Sequence, residues 1–352
     1  YGLFSREHHG RWRGDEVSRL LAYSRAHGHR LDICELGNEL NAYWAFHGIN
    51  AQPRAERLAA DYLAFSETVH DYYPHAQIIG PGSAFWPRLG ETLKPFSNLS
   101  QKFLRAARAR SVPLTIVDWH YYPFQSRRSP VRTRTATKAN MLRPRALNEY
   151  RRYCQQLKRL RDLYFPGAAL WTGESGSAQC GGEPKLSDRF ASCFWWLDQL
   201  GLGALHGQQV MIRQSLIGGD YGLIDRQTLK PRPDYWASWL WKQLMGESVY
   251  KLGQLPSHLR GYCHHGRGAW SKVVVLINLS HRPWQVDFDD HFESPPSSQY
   301  LLTAKKLTSK KVRINGRRAK IRGAKAPRLS DYPCAEVSQL LPGRGIIFWC
   351  FD

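Results

Sequence analysis

Up to about residue 247, short apolar runs alternate with amphipathic stretches. The apolar runs predict strands at 1–4, 32–36, 76–80, 114–119, 168–173 and 208–213. Helical spacing lies between them. Asp15 reads as the N-cap of a helix carrying Val17, Leu20, Leu21 and Ser24. Leu157, Leu160 and Leu163 share one apolar face of another helix whose remaining positions are rich in Arg and Lys. Strands alternating with helices predict a parallel sheet with helices outside it.

After about residue 249 the texture changes to β-rich segments at 271–279, 299–302 and 345–351, separated by Gly, Pro and Ser clusters. This predicts a small antiparallel sandwich, and a division into 1–248 and 249–352. Within it, residues 305–325 hold ten Lys or Arg. Asn315-Gly316 predicts a hairpin turn inside that segment. Its bland role is a solvated hairpin and its functional one a polyanion contact.

Charge adds a constraint. The 352 residues carry 50 Lys and Arg against 29 Asp and Glu, a formal +21, in an otherwise ordinary globular composition. Such a surface attracts polyanions, whether nucleic acid, anionic membrane or acidic polysaccharide. The longest aliphatic run, 273–277, is far short of a membrane span. Seven cysteines show no CxxC and no Cys/His zinc spacing, and HExxH is absent, so no metal site is expected. Sequons at Asn98 and Asn278 permit N-glycosylation in a secreted chain. The first residues carry neither Met nor a signal-peptide pattern, which is read as processing or truncation.

Two glutamates stand out. Glu39 closes Glu35-Leu36-Gly37-Asn38-Glu39, and Glu174 closes Leu170-Trp171-Thr172-Gly173-Glu174, each just after an apolar strand. Strand C-terminal ends present catalytic groups in β/α barrels. Retaining glycoside hydrolysis needs two such carboxyls, one to donate a proton and one to attack the anomeric carbon. Either glutamate alone reads first as a helix-start carboxylate favoured by the dipole. Together, at matching strand ends, they predict a hydrolase. His120 and Tyr122 follow the 114–119 strand, where they can orient a carboxylate or a hydroxyl. Gly173 to Ser177 is no nucleophile elbow, since Ser177 stands where that motif needs Gly.

These motifs, with Asp118-Trp119-His120-Tyr121-Tyr122, Arg134-Thr135-Ala136-Thr137-Lys138, Val210-Met211-Ile212-Arg213-Gln214 and Gly219-Asp220-Tyr221, resemble the heparanases of glycoside hydrolase family 79. The resemblance runs along nearly the whole chain. It implies a (β/α)8 TIM barrel followed by a C-terminal antiparallel β-sandwich. It also implies a retaining endo-β-glucuronidase cutting internal glucuronic acid linkages of heparan sulfate, without cofactor, in a secreted or lysosomal setting. By motif, Glu39 becomes the acid/base and Glu174 the nucleophile. Asn38, His120, Tyr122, Gln214, Gly219 and Tyr221 become sugar contacts, and Arg88 and Arg134 become anion contacts. A disulfide between Cys263 and Cys350 is implied in the sandwich.

Four departures touch substrate preference. Leu40 follows Asn-Glu where the family has Pro, Asp220 stands for Asn, Cys180 interrupts a Gly-rich loop, and an insertion near 123–131 brings Arg127, Arg128 and neighbouring Arg132. The barrel itself needs eight strands, and six are counted. With the first two absent, Glu39 follows the fourth strand and Glu174 the seventh, as the superfamily places them. The missing strands imply a small N-terminal subunit as partner. An exo-acting β-glucuronidase and a non-catalytic heparan-sulfate-binding protein are the rival readings. Nucleic acid is not expected as a partner, since no recognition motif accompanies the charge.

Overall fold

The computed structural model describes residues 12–91, 98–288, 292–321, 323, 325–334 and 336–352. The strand expected at 1–4 lies outside them. The chain forms two compact units, one running to Tyr122 and resuming at Tyr153–Ser175 and Gly207–Ile212, the other made of Pro123–Arg152, Gly176–His206 and Arg213–Asp352. The second unit thus takes in more than the expected 249–352, adding 123–152, 176–206 and 213–248, the segments that follow three strands of the first sheet. No helix among the described residues is long and apolar enough to cross a membrane.

In the first unit the strands are β1 (Ile33–Glu35), β2 (Gln77–Trp86), β3 (Leu89–Gly90), β4 (Leu114–Tyr121), β5 (Ala169–Ser175) and β6 (Val210–Arg213). They form one sheet in the order β1-β2-β4-β5-β6, with β3 folding back antiparallel on β2. The β1–β2, β2–β4 and β4–β5 pairs are parallel. Five of the six expected strands are therefore present, in sequential order, as in part of a β/α barrel wall. Every residue of β2 after Gln77 is buried, as a sheet covered on both faces requires. The helix Ala55–Tyr72 buries Leu58, Ala59, Tyr62, Phe65 and Val69, the stripe its 3.6-residue period aligns. The first helix, Asp15–Ala26, has Gly14 rather than Asp15 at its N-cap, so Asp15 acts on the dipole from inside the first turn. Leu20 and Leu163 are exposed, so each predicted apolar face is narrower than its spacing implied.

The second unit holds β7 (Met245–Tyr250), β8 (Leu259–Gly266), β9 (Lys272–Asn278), β10 (Trp284–Gln285), β11 (Ser298–Thr303), β12 (Arg313–Ile314), β13 (Arg317–Arg318), β14 (Leu340–Leu341) and β15 (Ile346–Phe351). Seven of these form a sheet ordered β13-β12-β11-β15-β9-β8-β7, and β10 pairs with β14 separately. Leu259, Val274, Ile347 and Trp349 of the large sheet pack in one core with Val286, Phe288 and Leu341 from around the small one, which makes the sandwich. Asn315 (φ 46°) and Gly316 (φ 74°) turn β12 into β13 as the Asn-Gly signal predicts.

The expected disulfide is corrected here. Cys263 and Cys350 are both free. Cys263 lies opposite Val274 and Cys350 opposite Val273, on the two strands flanking β9. Two strand spacings, roughly 10 Å, separate them, and neighbouring β9 positions face opposite sides of the sheet. Asn278 is also corrected as a glycan acceptor. It is fully buried, and its amide donates to the carbonyls of Arg282 (2.8 Å) and Pro342 (3.2 Å). Asn98 is exposed.

Candidate active site

Glu39 leaves β1 through a sharp backbone reversal. Gly37 takes φ 96°, and Glu39 itself sits in the left-handed region at φ 49°. That conformation costs a non-glycine residue on the order of 1 kcal/mol. Its surroundings hold it there. The Glu39 N–H donates to Gly82 O at 3.1 Å. Asn41, fully buried, brackets Ala84 by accepting its N–H at 2.8 Å and donating to its carbonyl at 3.0 Å. Leu40, which replaces the family's Pro, is also fully buried.

The carboxylates meet at His120. The parallel ladder sets His120 of β4 beside Glu174 of β5, after a register irregularity between Trp119 and His120. Such a bulge re-aims the side chains that follow it. His120 Nδ1 stands 3.2 Å from Glu39 Oε1 and 3.9 Å from Glu174 Oε2. Trp86 Nε1 donates to Glu39 Oε1 at 3.2 Å, and the Tyr122 hydroxyl donates to Glu174 Oε1 at 2.5 Å. One oxygen each of Glu39 and Glu174, with the His120 nitrogen, lie within 4.8 Å of one another. Both glutamates remain partly open, at 15% and 25% side-chain exposure, as reacting groups must.

Behind His120 lies a second acidic pair. Asp118 is fully buried, accepts the Gly82 N–H at 2.8 Å, and shares a side-chain hydrogen bond with Glu35. His120 Nε2 is 3.8 Å from Asp118 Oδ2. Two glycines make the space. A Cβ on Gly173 would stand 2.1 Å from Asp118 Oδ2, and one on Gly82 would stand 2.5 Å from Glu35 Oε1. Glu35 is an exposed residue on a strand whose pairing is to β2 alone among the described residues, yet its carboxyl turns in toward Gly82. Loss of solvation at that carboxyl, then the Asp118 charge, push its pKa well above the carboxylate range. Burial likewise raises Asp118, with the His120 charge working against it. For His120, burial favours the neutral ring, but the bond to Glu39 and the charges of Asp118, Glu39 and Glu174 outweigh it and raise the pKa.

Of the sequence-predicted residues, the structure brings together Glu39, His120, Tyr122 and Glu174. Asn38 and Arg88 belong to the same unit and are exposed, Arg88 in the turn between β2 and β3. Gln214, Gly219, Tyr221 and Arg134 belong to the second unit. There Arg134 is engaged bidentately by Glu149 at 2.8 and 3.0 Å. Tyr221 O accepts from Arg213, whose guanidinium stacks over Trp195 and Trp196 at 4.9 and 5.1 Å. Gly219 (φ 57°) brings its backbone close to Gly181 O, where a Cβ would stand 2.7 Å away. The inserted arginines are paired: Arg128 with Asp220 at 2.7 Å, and Arg127 with the buried Glu183. The substituted Asp220 charge is thus met by the insertion.

The model of "Glycosyl hydrolase family 79, N-terminal domain" matches residues 3–201. The chain belongs to glycosyl hydrolase family 79. It is 32% identical to heparanase of Rattus norvegicus over 325 residues, covering 88% of this chain and 57% of that protein. It is 25% identical to inactive heparanase-2 of Mus musculus over 326 residues, covering 87% and 52%. Among solved structures, the thermostable GH51 α-L-arabinofuranosidase from Thermotoga petrophila RKU-1 superposes with a TM-score of 0.65 at 13% identity, covering 96% of this chain and 73% of that one. That likeness speaks to the fold alone. The chain spans about half the length of the curated relatives it matches, 48% and 57% for two of them.

Sequence reasoning missed Glu35, Asp118 and Trp86. Glu35 and Asp118 lie inside quoted motifs, and the signal was there: both are acids in otherwise apolar strand segments, costly to bury without a task.

Proposed function

We propose that this chain carries the catalytic centre of a retaining endo-β-glucuronidase acting on internal glucuronic acid linkages of heparan sulfate. The observation that carries this reading is the pairing of Glu39 and Glu174 on one imidazole, oxygen to oxygen within 4.8 Å. Retaining pairs stand about 5 Å apart, whereas inverting pairs need roughly 6.5–9.5 Å to admit a water.

In the first step Glu174 attacks the anomeric carbon while Glu39 gives its proton to the departing glycosidic oxygen. An ester links the sugar to Glu174. In the second step Glu39 takes a proton from water, which attacks the same carbon and frees the Glu174 carboxylate. Trp86 donates to Glu39 Oε1, so the transferable proton belongs on Oε2. Tyr122 fixes the orientation of the Glu174 carboxylate. His120 spans both and senses the charge that moves between them.

A glycan-binding protein without turnover is the second reading. It is favoured by the likeness to inactive heparanase-2. Chain-length analysis of heparan sulfate separates the two, with the N-terminal segment of a family member co-expressed and Glu174→Gln as control. Fragments that disappear in the variant support hydrolysis, and intact polymer under both conditions supports binding alone.

A further inference from the structure

The basic hairpin of the second unit is unused by this mechanism. Residues 305–325 contain ten Lys or Arg and no acidic residue. Val312 and Ile314 alternate inward, leaving Lys311 and Arg313 exposed beside Lys305, Lys310, Arg317 and Arg318. None of these cations forms a salt bridge among the described residues. Arg313 and Arg318 sit directly opposite in the β12–β13 register. A like-charge cross-strand pair lowers sheet stability. Arg313 donates to Gly316 O at 2.7 Å within the turn, which leaves the repulsion between the two guanidiniums unneutralised. A counter-anion would neutralise it.

The same residues frame a hollow of about 370 Å³, lined by Lys305, Ser309, Lys310, Lys311, Arg313 and Arg318. Its rim is anchored. Leu307 and Ser309 carbonyls accept the N–H groups of Ala191 (2.9 Å) and Phe190 (3.1 Å), and Asn315 is held to Gln299 O (2.8 Å) and Tyr332 O (2.9 Å). The cations are thus mounted on fixed backbone, which lowers the ordering cost of binding.

We propose that this hairpin is a second polyanion site, taking the sulfate groups of a glycan chain through residues other than the catalytic candidates. The choice of glycan rests on the proposed function. The chemistry agrees, since residues 305–325 contain no aromatic side chain on which bases could stack.

The test measures binding on the full chain carrying Glu174→Gln, so that it reads independently of turnover. The probes are a heparin octasaccharide, an unsulfated heparosan octasaccharide and a single-stranded oligothymidine of equal charge. Lys310→Gln/Lys311→Gln/Arg318→Gln should weaken heparin binding roughly tenfold or more and reduce its salt dependence by about two released ions. Heparosan and oligothymidine should bind weakly to both proteins. Arg318→Gln alone should keep or raise Tm. Unchanged heparin binding by the triple variant, oligothymidine binding as tight as heparin, or a fall in Tm for Arg318→Gln would each overturn the proposal. Wild-type chain that binds heparin here but never cleaves heparan sulfate, even with the N-terminal segment of a family member co-expressed, would sink the hydrolase reading and leave this site standing.

Discussion

The phenol of Tyr122 donates to Glu174 Oε1 across 2.5 Å, just past the rung of the ladder where His120 pairs with Glu174. The carboxylate is therefore held by two consecutive features of one strand exit. A hydrogen bond to a charged group contributes about 1.5–3 kcal/mol. Tyr122→Phe is expected to lower kcat about 10–100-fold with little change in KM. Steady-state kinetics on a heparan sulfate oligosaccharide check this, and an unchanged kcat would remove Tyr122 from the mechanism.

Asp118→Asn leaves a side chain of the same shape beside His120 Nε2 but removes its charge. The pKa of His120 should fall, because Asp118 is one of the charges that hold it up against burial. NMR titration of the His120 ring reads this directly. The raised pKa also adds stability that is present below about pH 6.5 and is lost as pH rises through the folded value, so Asp118→Asn should flatten that slope.

Glu91 gives a sharper pH signal in the first unit. It accepts the Ser100 N–H at 2.8 Å and the Asn41 amide at 3.2 Å, and burial raises its pKa to about 7. A carboxyl whose folded pKa is raised is neutral in both states below its unfolded value near 4.5. The folded state is then disfavoured progressively as pH rises from there to about 7, by roughly 3 kcal/mol in all. Glu91→Gln should remove that slope in denaturant titrations at pH 4.5 and 7.5. A wild-type protein equally stable at both would contradict the assignment.

Asn278 and Asn98 should behave oppositely. Asn278→Ala strands the Arg282 and Pro342 carbonyls in the sandwich and should cost about 2–3 kcal/mol. Asn98→Gln changes an exposed position and should stay within about 0.5 kcal/mol. In a secretory host, peptide mapping should find glycan at Asn98 only.

The two catalytic candidates and most of the scaffold were legible because strand-end placement is a local signal. Glu39 and Glu174 each follow an apolar run, and five such runs join in one sheet. What the sequence hid depends on register and on partners far along the chain. Cys263 and Cys350 looked pairable in strands of one sandwich, but their opposite parity against Val274 and Val273 is set only once β8 and β15 flank β9. The added charge of Asp220 reads from sequence as a matter of substrate preference, and only the fold sets Arg128, 92 positions earlier, against it at 2.7 Å. Asn278 carried a sequon, and only the folded sandwich shows that its amide is consumed by the backbone.

The role of Glu174 can be read most directly by trapping. The protein, with the N-terminal segment of a family member co-expressed, is incubated with a 2-deoxy-2-fluoro-β-glucuronide carrying a good leaving group, then digested and mapped by mass spectrometry. The account predicts a fluoroglucuronyl adduct on the peptide containing Glu174, absent in Glu174→Gln. Heparan sulfate cleavage without any adduct, or an adduct on another carboxylate, would contradict it.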